Sequence, residues 1–347
     1  LPLSGKSTVF NALTGGTAKT GVFSGARDEV HVCVVEVPDD RVGVLCDILK
    51  PEKVNKARIE YVDVVGVERG AARSSDSAAQ FLAPVRQADA LLHVSRAFPA
   101  ESVPHPLGEV DAARDVDALE EEFIIADLLA VEKRLEKIGK LAAVGKKPEE
   151  KGEAEVLEKC RKHLLEETPL REVEFSSEEE KTLRCFQFLS VKPLLVVINT
   201  GEDQAGDIEA DVERWKANRR AAVSLCGKLE MEIAGASSED AAELMELAEL
   251  SEPASSRVIR ASYELLGLVT FYTAVRSELT AWPIPQGTTA VRAAGEIHTD
   301  MERGFIRAEV VAFEDLVTCG SVAGAREKGL LRVEGKNYEV KDGDVLN

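Results

Sequence analysis

A Gly-Lys-Ser-Thr run at positions 5–8 leads straight into an apolar-periodic stretch, and it limits what this chain can fold into more than any other feature. Such a run is the end of a phosphate-binding P-loop. Backbone N–H groups cradle the phosphates, Lys6 reaches the β and γ oxygens, and the Ser7 hydroxyl takes Mg²⁺. Val9, Phe10 and Leu13 then read as the helix whose N-terminus faces the phosphates. The full pattern wants a glycine one position before Leu1, so that glycine and a feeding strand are expected to precede Leu1. The plain alternative is a chance match at an unrelated helix start, and only companion elements downstream decide between the two.

Those companions are present. Glu29–Val37 is a valine-dense strand, Pro38-Asp39-Asp40 opens a helix that stops near Pro51, and Arg58–Asp63 is a second strand ending on a carboxylate. Asp63-x-x-Gly66 at a strand's end is the expected second element of a P-loop NTPase. Asp63 holds the Mg²⁺ shell through water, and the Gly66 N–H senses the γ-phosphate. Ala88–Ser95 reads as a buried strand in which His93 is a core residue rather than a base. Lys192–Thr200 is a continuous apolar strand of the parallel-sheet kind.

That strand ends in Asn199-Thr200-Gly201-Glu202, where guanine-specific P-loop proteins carry Asn-Lys-x-Asp. The Lys and the Asp are both replaced. Glu is one methylene longer than Asp, and adenine has no exocyclic N2 amine to donate, so the bidentate guanine contact is not supplied. Asn199 either meets the base edge or braces the P-loop. Ala221–Ser224 is a further strand, and Ser224 opens the loop to Leu229, where the fifth base-contacting element belongs.

From Asp117 the pattern changes to helix. Ile124, Leu128, Val131, Leu135, Ile138 and Ala142 form a heptad seam, and Leu157, Cys160 and Leu164 mark a second helix beyond the polar turn Lys146–Gly152. The expectation is an antiparallel coiled-coil hairpin inserted at 112–190, with two ordinary packed helices as the alternative. From Leu268 short strands, the last of them Tyr338–Val340, and turns, the last of them Asp342-Gly343-Asp344, suggest a compact α+β module of about 80 residues.

A formal net charge of −19 argues against broad, sequence-independent nucleic-acid binding, which needs clustered Lys and Arg. Six cysteines scattered without a C-x-x-C pair suit reduced thiols and a cytoplasmic setting. No apolar run reaches the roughly 18 residues of a membrane span.

Together these residues resemble the Obg-like ATPases, the YchF family of P-loop GTPase-like proteins. The resemblance covers Leu-Pro-x-x-Gly-Lys-Ser-Thr-x-Phe-Asn-Ala-Leu-Thr (1–14), Val-Pro-Asp (37–39), Ile-Glu-Tyr-Val-Asp-x-x-Gly (59–66), the Ala-Asp…Glu-Lys-Arg-Leu-Glu stretch (126–136), Asn-x-x-Glu (199–202), Lys-Leu-Glu (228–230), the long run 293–310 and Asp-Gly-Asp-Val (342–345). It implies an α/β P-loop domain (1–111 and 191–264), interrupted by the coiled-coil hairpin (112–190) and followed by a TGS domain of β-grasp type (265–347). It also implies ATP preferred over GTP, Mg²⁺ as cofactor, and the ribosome as partner. Leu3, Ser4, Gly5, Lys6, Ser7 and Thr8 would wrap the phosphates, with Gly66 at the γ-phosphate. Asn199 and Thr200 would contact adenine, Glu202 would shape that end, and Ser224 would lie in the adjoining loop.

Two departures from the family, in the switch segment and in the degraded glycine-rich stretch Arg69–Ser75, bear on catalysis, as does one trait the family shares, the hydrophobic Val67. The family's switch segment carries a Phe-x-Thr-Ile-Asp-Pro run whose Thr can complete the Mg²⁺ shell; here the stretch is Phe23–Glu29 with no Thr in place. Val67 stands where many GTPases have a water-orienting Gln, so intrinsic hydrolysis should be slow. The sequence therefore predicts a weak nucleoside triphosphatase. A nucleotide-stabilised scaffold without turnover and a GTPase with unusual base recognition are the alternatives.

Overall fold

The computed structural model describes residues 2–15, 31–64, 70, 83–100, 103–143, 152–202, 215–216, 219–275 and 277–347. Phe23–Glu29, Gly66, Val67 and the turn residues 146–151 lie outside the described residues.

In chain order, α1 (Lys6–Leu13) is followed by β1 (His31–Glu36), α2 (Asp40–Leu49), β2 (Lys53–Asn55), β3 (Arg58–Asp63) and β4 (Leu91–Arg96). Then come α3 (Ala112–Ala143), α4 (Glu153–Leu165), α5 (Ser177–Leu183), β5 (Leu194–Asn199) and β6 (Arg220–Leu225). Three helices follow, α6 (Gly227–Gly235), α7 (Ser238–Leu247) and α8 (Ala254–Leu265), before β7 (Leu268–Val275) and β8 (Glu278–Pro285). The chain closes with α9 (Ala290–Ile297), α10 (Thr299–Gly304), β9 (Arg307–Ala312), α11 (Phe313–Cys319), α12 (Val322–Glu327), β10 (Arg332–Gly335) and β11 (Asp344–Leu346). Its contacts divide into two units: Leu1–Cys33 with Val62–Ala261, and Val34–Tyr61 with Ser262–Asn347.

In the first unit β4, β5 and β6 form a parallel sheet with β5 in the middle. Every residue of β5 is buried, as expected for a strand paired on both edges and covered on both faces. Leu194, Val196 and Ile198 alternate onto one face, where they join Val116, Leu119 and Phe123 of α3 in a common core. Farther along α3 a second core forms. Ile124, Val131 and Ile138 pack with Val156, Leu157, Cys160 and Leu164, and Leu128 and Leu135 are partly buried against them. Ala142, the last seam position, is exposed at the helix end. His93 is buried within β4, where burial drives its pKa well below the ordinary value and keeps the ring neutral.

Asp127 ties the helices to the sheet. Its carboxylate accepts from the Leu189 N–H (3.0 Å), the Ser190 N–H (2.7 Å) and the Ser190 hydroxyl (2.8 Å), fixing the turn just before β5. Burial pushes this carboxyl up, against the hydrogen bonds that favour its charged form.

The second unit is built on a six-stranded mixed sheet in the order β10-β9-β11-β7-β8-β2. Its core gathers Phe271, Ile284, Ala290, Ala293 and Val310, with α9 laid over the sheet. The strand boundaries differ from the sequence expectation at the C-terminus. Glu339 makes only an isolated bridge with Thr289, and the last strand is β11, where a turn was expected to run through Asp344. The reason is local. Gly343 takes the turn alone at φ 85, while Asp344 is buried and accepts from the Tyr338 hydroxyl (2.7 Å) and the Lys341 N–H (2.9 Å).

Two separated motifs meet in this unit. Asp39 of the Val-Pro-Asp stretch caps α2, accepting from the Arg41 backbone (3.1 Å) and side chain (2.9 Å), and it also accepts from the Tyr272 hydroxyl. Arg41 reaches on to Asp342 of Asp-Gly-Asp-Val (2.7 Å), whose other oxygen accepts from the Thr270 N–H (2.8 Å). A Cβ on Gly343 would lie 3.3 Å from the Arg41 guanidinium, so glycine also keeps this approach open. No helix among the described residues is long and apolar enough to cross a membrane.

Candidate nucleotide-binding site

The P-loop residues enter α1 through Gly5, which sits at the helix N-cap with φ 87, a left-handed conformation that favours glycine. A second constraint acts on the same residue. A Cβ there would come within 2.2 Å of Asn199 Nδ2. Asn199, 3 % exposed at the end of β5, donates from Nδ2 to the Ser4 carbonyl (3.0 Å) and accepts at Oδ1 from the Gly227 N–H (2.9 Å). Its amide thus joins the loop before α1 to the turn before α6, and α1 packs against α6. Of the two roles left open for Asn199 by its sequence, the brace is the one its hydrogen bonds perform. Each amide atom keeps capacity for one more bond.

On the opposite side of the loop Ser7 Oγ donates to Asp63 Oδ2 at 3.2 Å, and Lys6 Nζ stands 3.6 Å from Asp63 Oδ1. Asp63 is buried at the end of β3. Its Oδ1 accepts no hydrogen bond among the described residues, leaving only the approach of Lys6. A buried carboxylate oxygen short of donors, next to a hydroxyl that can ligate, fits a Mg²⁺ held directly by Ser7 and through water by Asp63. Among the described residues no three carboxylate, imidazole or thiol side chains cluster as a protein-only metal site.

The remaining predicted residues fall around this frame. Ser4 is buried, Leu3 is exposed with φ 62, and Thr8 is half-buried in the first turn of α1. Gly66 lies outside the described residues. Thr200 is buried, its N–H and hydroxyl both donating to the Leu225 carbonyl at 2.9 and 3.2 Å, which locks the end of β5 to the end of β6. Ser224 is half-buried, and its carbonyl accepts from Arg257 at 3.4 Å. Glu202 is exposed and pairs with Lys228 at 2.8 Å, a contact that raises the lysine's pKa.

Two participants were not assigned from the residues alone. Gly227 approaches Asn199 so closely that a Cβ would sit 3.0 Å from Oδ1. Glu230, buried in α6, caps α8 by accepting from the Ala254 and Ser255 N–H groups at 2.8 and 2.9 Å. The glycine two residues past the end of β6 was the available signal for the first. Nothing local marks Glu230 as a cap for a helix 24 residues away.

Comparisons with known proteins agree over the whole chain. The C-terminal YchF GTPase family model, described as a protein of unknown function, matches residues 268–347. A model described as a 50S ribosome-binding GTPase matches residues 1–134. Proteins named ribosome-binding ATPase YchF are similar, at 39% identity in Bacillus subtilis and 40% in Escherichia coli O157:H7; each alignment covers 100% of this chain and 96% of the relative. The solved structure of the Schizosaccharomyces pombe YchF GTPase superposes with a TM-score of 0.84 at 27% identity, covering 100% of this chain and 95% of that one.

Proposed function

This chain belongs to the YchF family, and on that premise we propose that it binds ATP with Mg²⁺, hydrolyses it slowly and associates with the ribosome. The observation that carries the reading is the interlock of Gly5 with Asn199 beside the Lys6–Ser7–Asp63 group. It amounts to a loop preformed for phosphates, with a carboxylate poised at its metal side. Leu3 to Thr8 wrap the phosphates and Gly66 donates to the γ-phosphate, while Ser7 and Asp63 would hold a Mg²⁺ that would offset charge developing on the phosphate oxygens. Lys6 turns from Asp63 to the β and γ oxygens when nucleotide enters.

At the base, Asn199 and Thr200 line one side, with Glu202 and Ser224 at the rim. The preference for adenine is supported by the missing guanine-reading Asp and by the engagement of the Glu202 carboxylate with Lys228. The relatives described as GTPases keep guanine recognition as the competing reading. Val67 in place of a water-orienting Gln favours slow turnover and, at the limit, a nucleotide-stabilised scaffold.

In the same reading the chain comprises the P-loop domain (1–111 and 191–264), an antiparallel coiled-coil hairpin (112–190) and a TGS domain of β-grasp type (265–347). The seam packing of α3 with α4, and the mixed sheet carrying α9, support those assignments. The setting is cytoplasmic.

Competition between labelled ATP and GTP tests the base assignment. A tenfold preference for GTP, about 1.4 kcal/mol, overturns it. Phosphate release with Mg²⁺, K⁺ and ribosomes should show multiple turnovers that Lys6→Ala abolishes; single-turnover behaviour would leave the scaffold reading. Co-sedimentation with ribosomes tests the partner.

A further inference from the structure

The buried side of α3 includes a carboxylate that the seam and the sheet core do not account for. Val116, Leu119 and Phe123 pack into the sheet core, and Ile124 begins the core shared with α4. Glu122, beside them in sequence, is only 8 % exposed. A buried carboxylate is costly unless hydrogen bonds replace its water. Glu122 Oε1 accepts from the Gly70 N–H at 2.6 Å. The charge on the acceptor makes such a bond stronger than one between neutral groups.

Gly70 is the one residue of the stretch Arg69–Ser75 among the described residues. Its φ of 86 lies in the left-handed region that favours glycine, and a Cβ there would meet nothing within 4 Å. Glycine at this position therefore serves backbone conformation and not packing. Upstream, Val64 follows Asp63 directly and packs, partly buried, against the sheet core that holds Phe123. The chain leaving the Asp63 carboxylate is thus tied to α3 twice, by apolar packing at Val64 and by Glu122 at Gly70. Five residues separate the two ties, and Gly66 is one of them. Holding both ends of so short a segment limits where a backbone N–H within it can go.

We propose that Glu122 is a positioning residue for a nucleoside triphosphate: by holding Gly70 on α3, it sets the backbone that presents the Gly66 N–H to the γ-phosphate. It acts through Gly70 and not by touching the nucleotide. The inference rests on the nucleotide reading above and deepens it by naming what steadies the γ-phosphate side. A diphosphate has no γ-phosphate, so Glu122 matters for a triphosphate and not for ADP. A Glu122 that only supported the fold would affect both nucleotides alike.

Glu122→Met removes the acceptor and the buried charge at nearly constant volume, and water can take over the N–H of the exposed Gly70. Calorimetric titration of the full chain with AMP-PNP and with ADP, each with Mg²⁺, reads the effect. AMP-PNP affinity should fall roughly tenfold while ADP affinity stays within about twofold. Glu122→Gln, which keeps an oxygen for the Gly70 N–H, should restore most of the AMP-PNP affinity. Gly70→Ala should reproduce the selective loss through backbone strain, and it decides the matter if Glu122→Met fails to fold. The double variant should lose no more than the worse single one, because both changes break one contact. Equal losses for AMP-PNP and ADP, an unaffected Glu122→Met, or additive losses in the double variant would each overturn the proposal. Only binding is read, so the test holds whether or not the chain turns over. An unsubstituted chain that binds neither nucleotide would defeat the nucleotide reading itself, and this proposal with it.

Discussion

Asn199 Nδ2 occupies the space that any side chain on Gly5 would need, at 2.2 Å from the position of its Cβ. The phosphate loop is therefore shaped by a residue nearly two hundred positions downstream. Gly5→Ala must either expel the Asn199 amide or shift the loop, on top of left-handed backbone strain on the order of 1–3 kcal/mol. A lowered melting temperature and at least a tenfold loss in affinity for a fluorescent ATP analogue are expected. Near-normal binding would show that the interlock does not shape the loop.

Truncating the other partner separates bracing from base contact. Asn199→Ala leaves the Ser4 carbonyl and the Gly227 N–H short of a partner, at a cost of about 1–3 kcal/mol. If bracing dominates, chemical denaturation of the nucleotide-free chain should register that loss, and ATP and GTP affinities should fall together. A selective loss of ATP would move Asn199 to base recognition instead.

Asp63→Asn keeps an oxygen for Ser7 but removes the charge that faces Lys6 and that would face the proposed Mg²⁺. Nucleotide binding titrated against Mg²⁺ should require about tenfold more cation, a change of about 1.4 kcal/mol. An unchanged Mg²⁺ midpoint would remove Asp63 from the metal shell.

The second unit carries an acid-sensitive latch. Burial raises the Asp39 carboxyl, but hydrogen bonds from Arg41 and Tyr272 outweigh it and hold the pKa below the ordinary value. A carboxyl depressed in the fold contributes stability that is full above its unfolded pKa, about 3.9, and is lost as pH falls through the folded value. Trp282 belongs to this unit and Trp215 to the other, so a Trp215→Phe background makes the fluorescence specific. Acid unfolding followed through Trp282 should start below about pH 4. Asp39→Asn should be less stable at neutral pH and show a shallower acid limb; an identical acid limb would rule the latch out.

The parallel strands, the P-loop helix and the long seam of α3 were legible because each rests on a local pattern. Leu194 to Ile198 form an unbroken apolar run, and Ile124, Val131 and Ile138 recur at helical spacing. What stayed hidden depends on pairs far apart in sequence. Nothing near Asn199 says that both ends of its amide will be claimed by backbone, and nothing near Arg41 announces Asp342. The C-terminal strand boundaries slipped because Asp344 looks like a turn residue until Tyr338 and Lys341 satisfy it in a buried position. Propensity cannot anticipate a carboxylate whose partners arrive from the rest of the fold.

The grouping of Val34–Tyr61 with Ser262–Asn347 has a consequence for synthesis. β2 is an edge strand of a sheet whose neighbour, β8, emerges from the ribosome more than 200 residues later. At roughly 5–20 residues per second, the early segment waits on the order of 10–40 s without its partners. Asp39 and Arg41 meanwhile lack Tyr272 and Asp342. The second unit thus cannot close until β7, β8 and β11 have all been made, after the last residue of the first unit has left the ribosome.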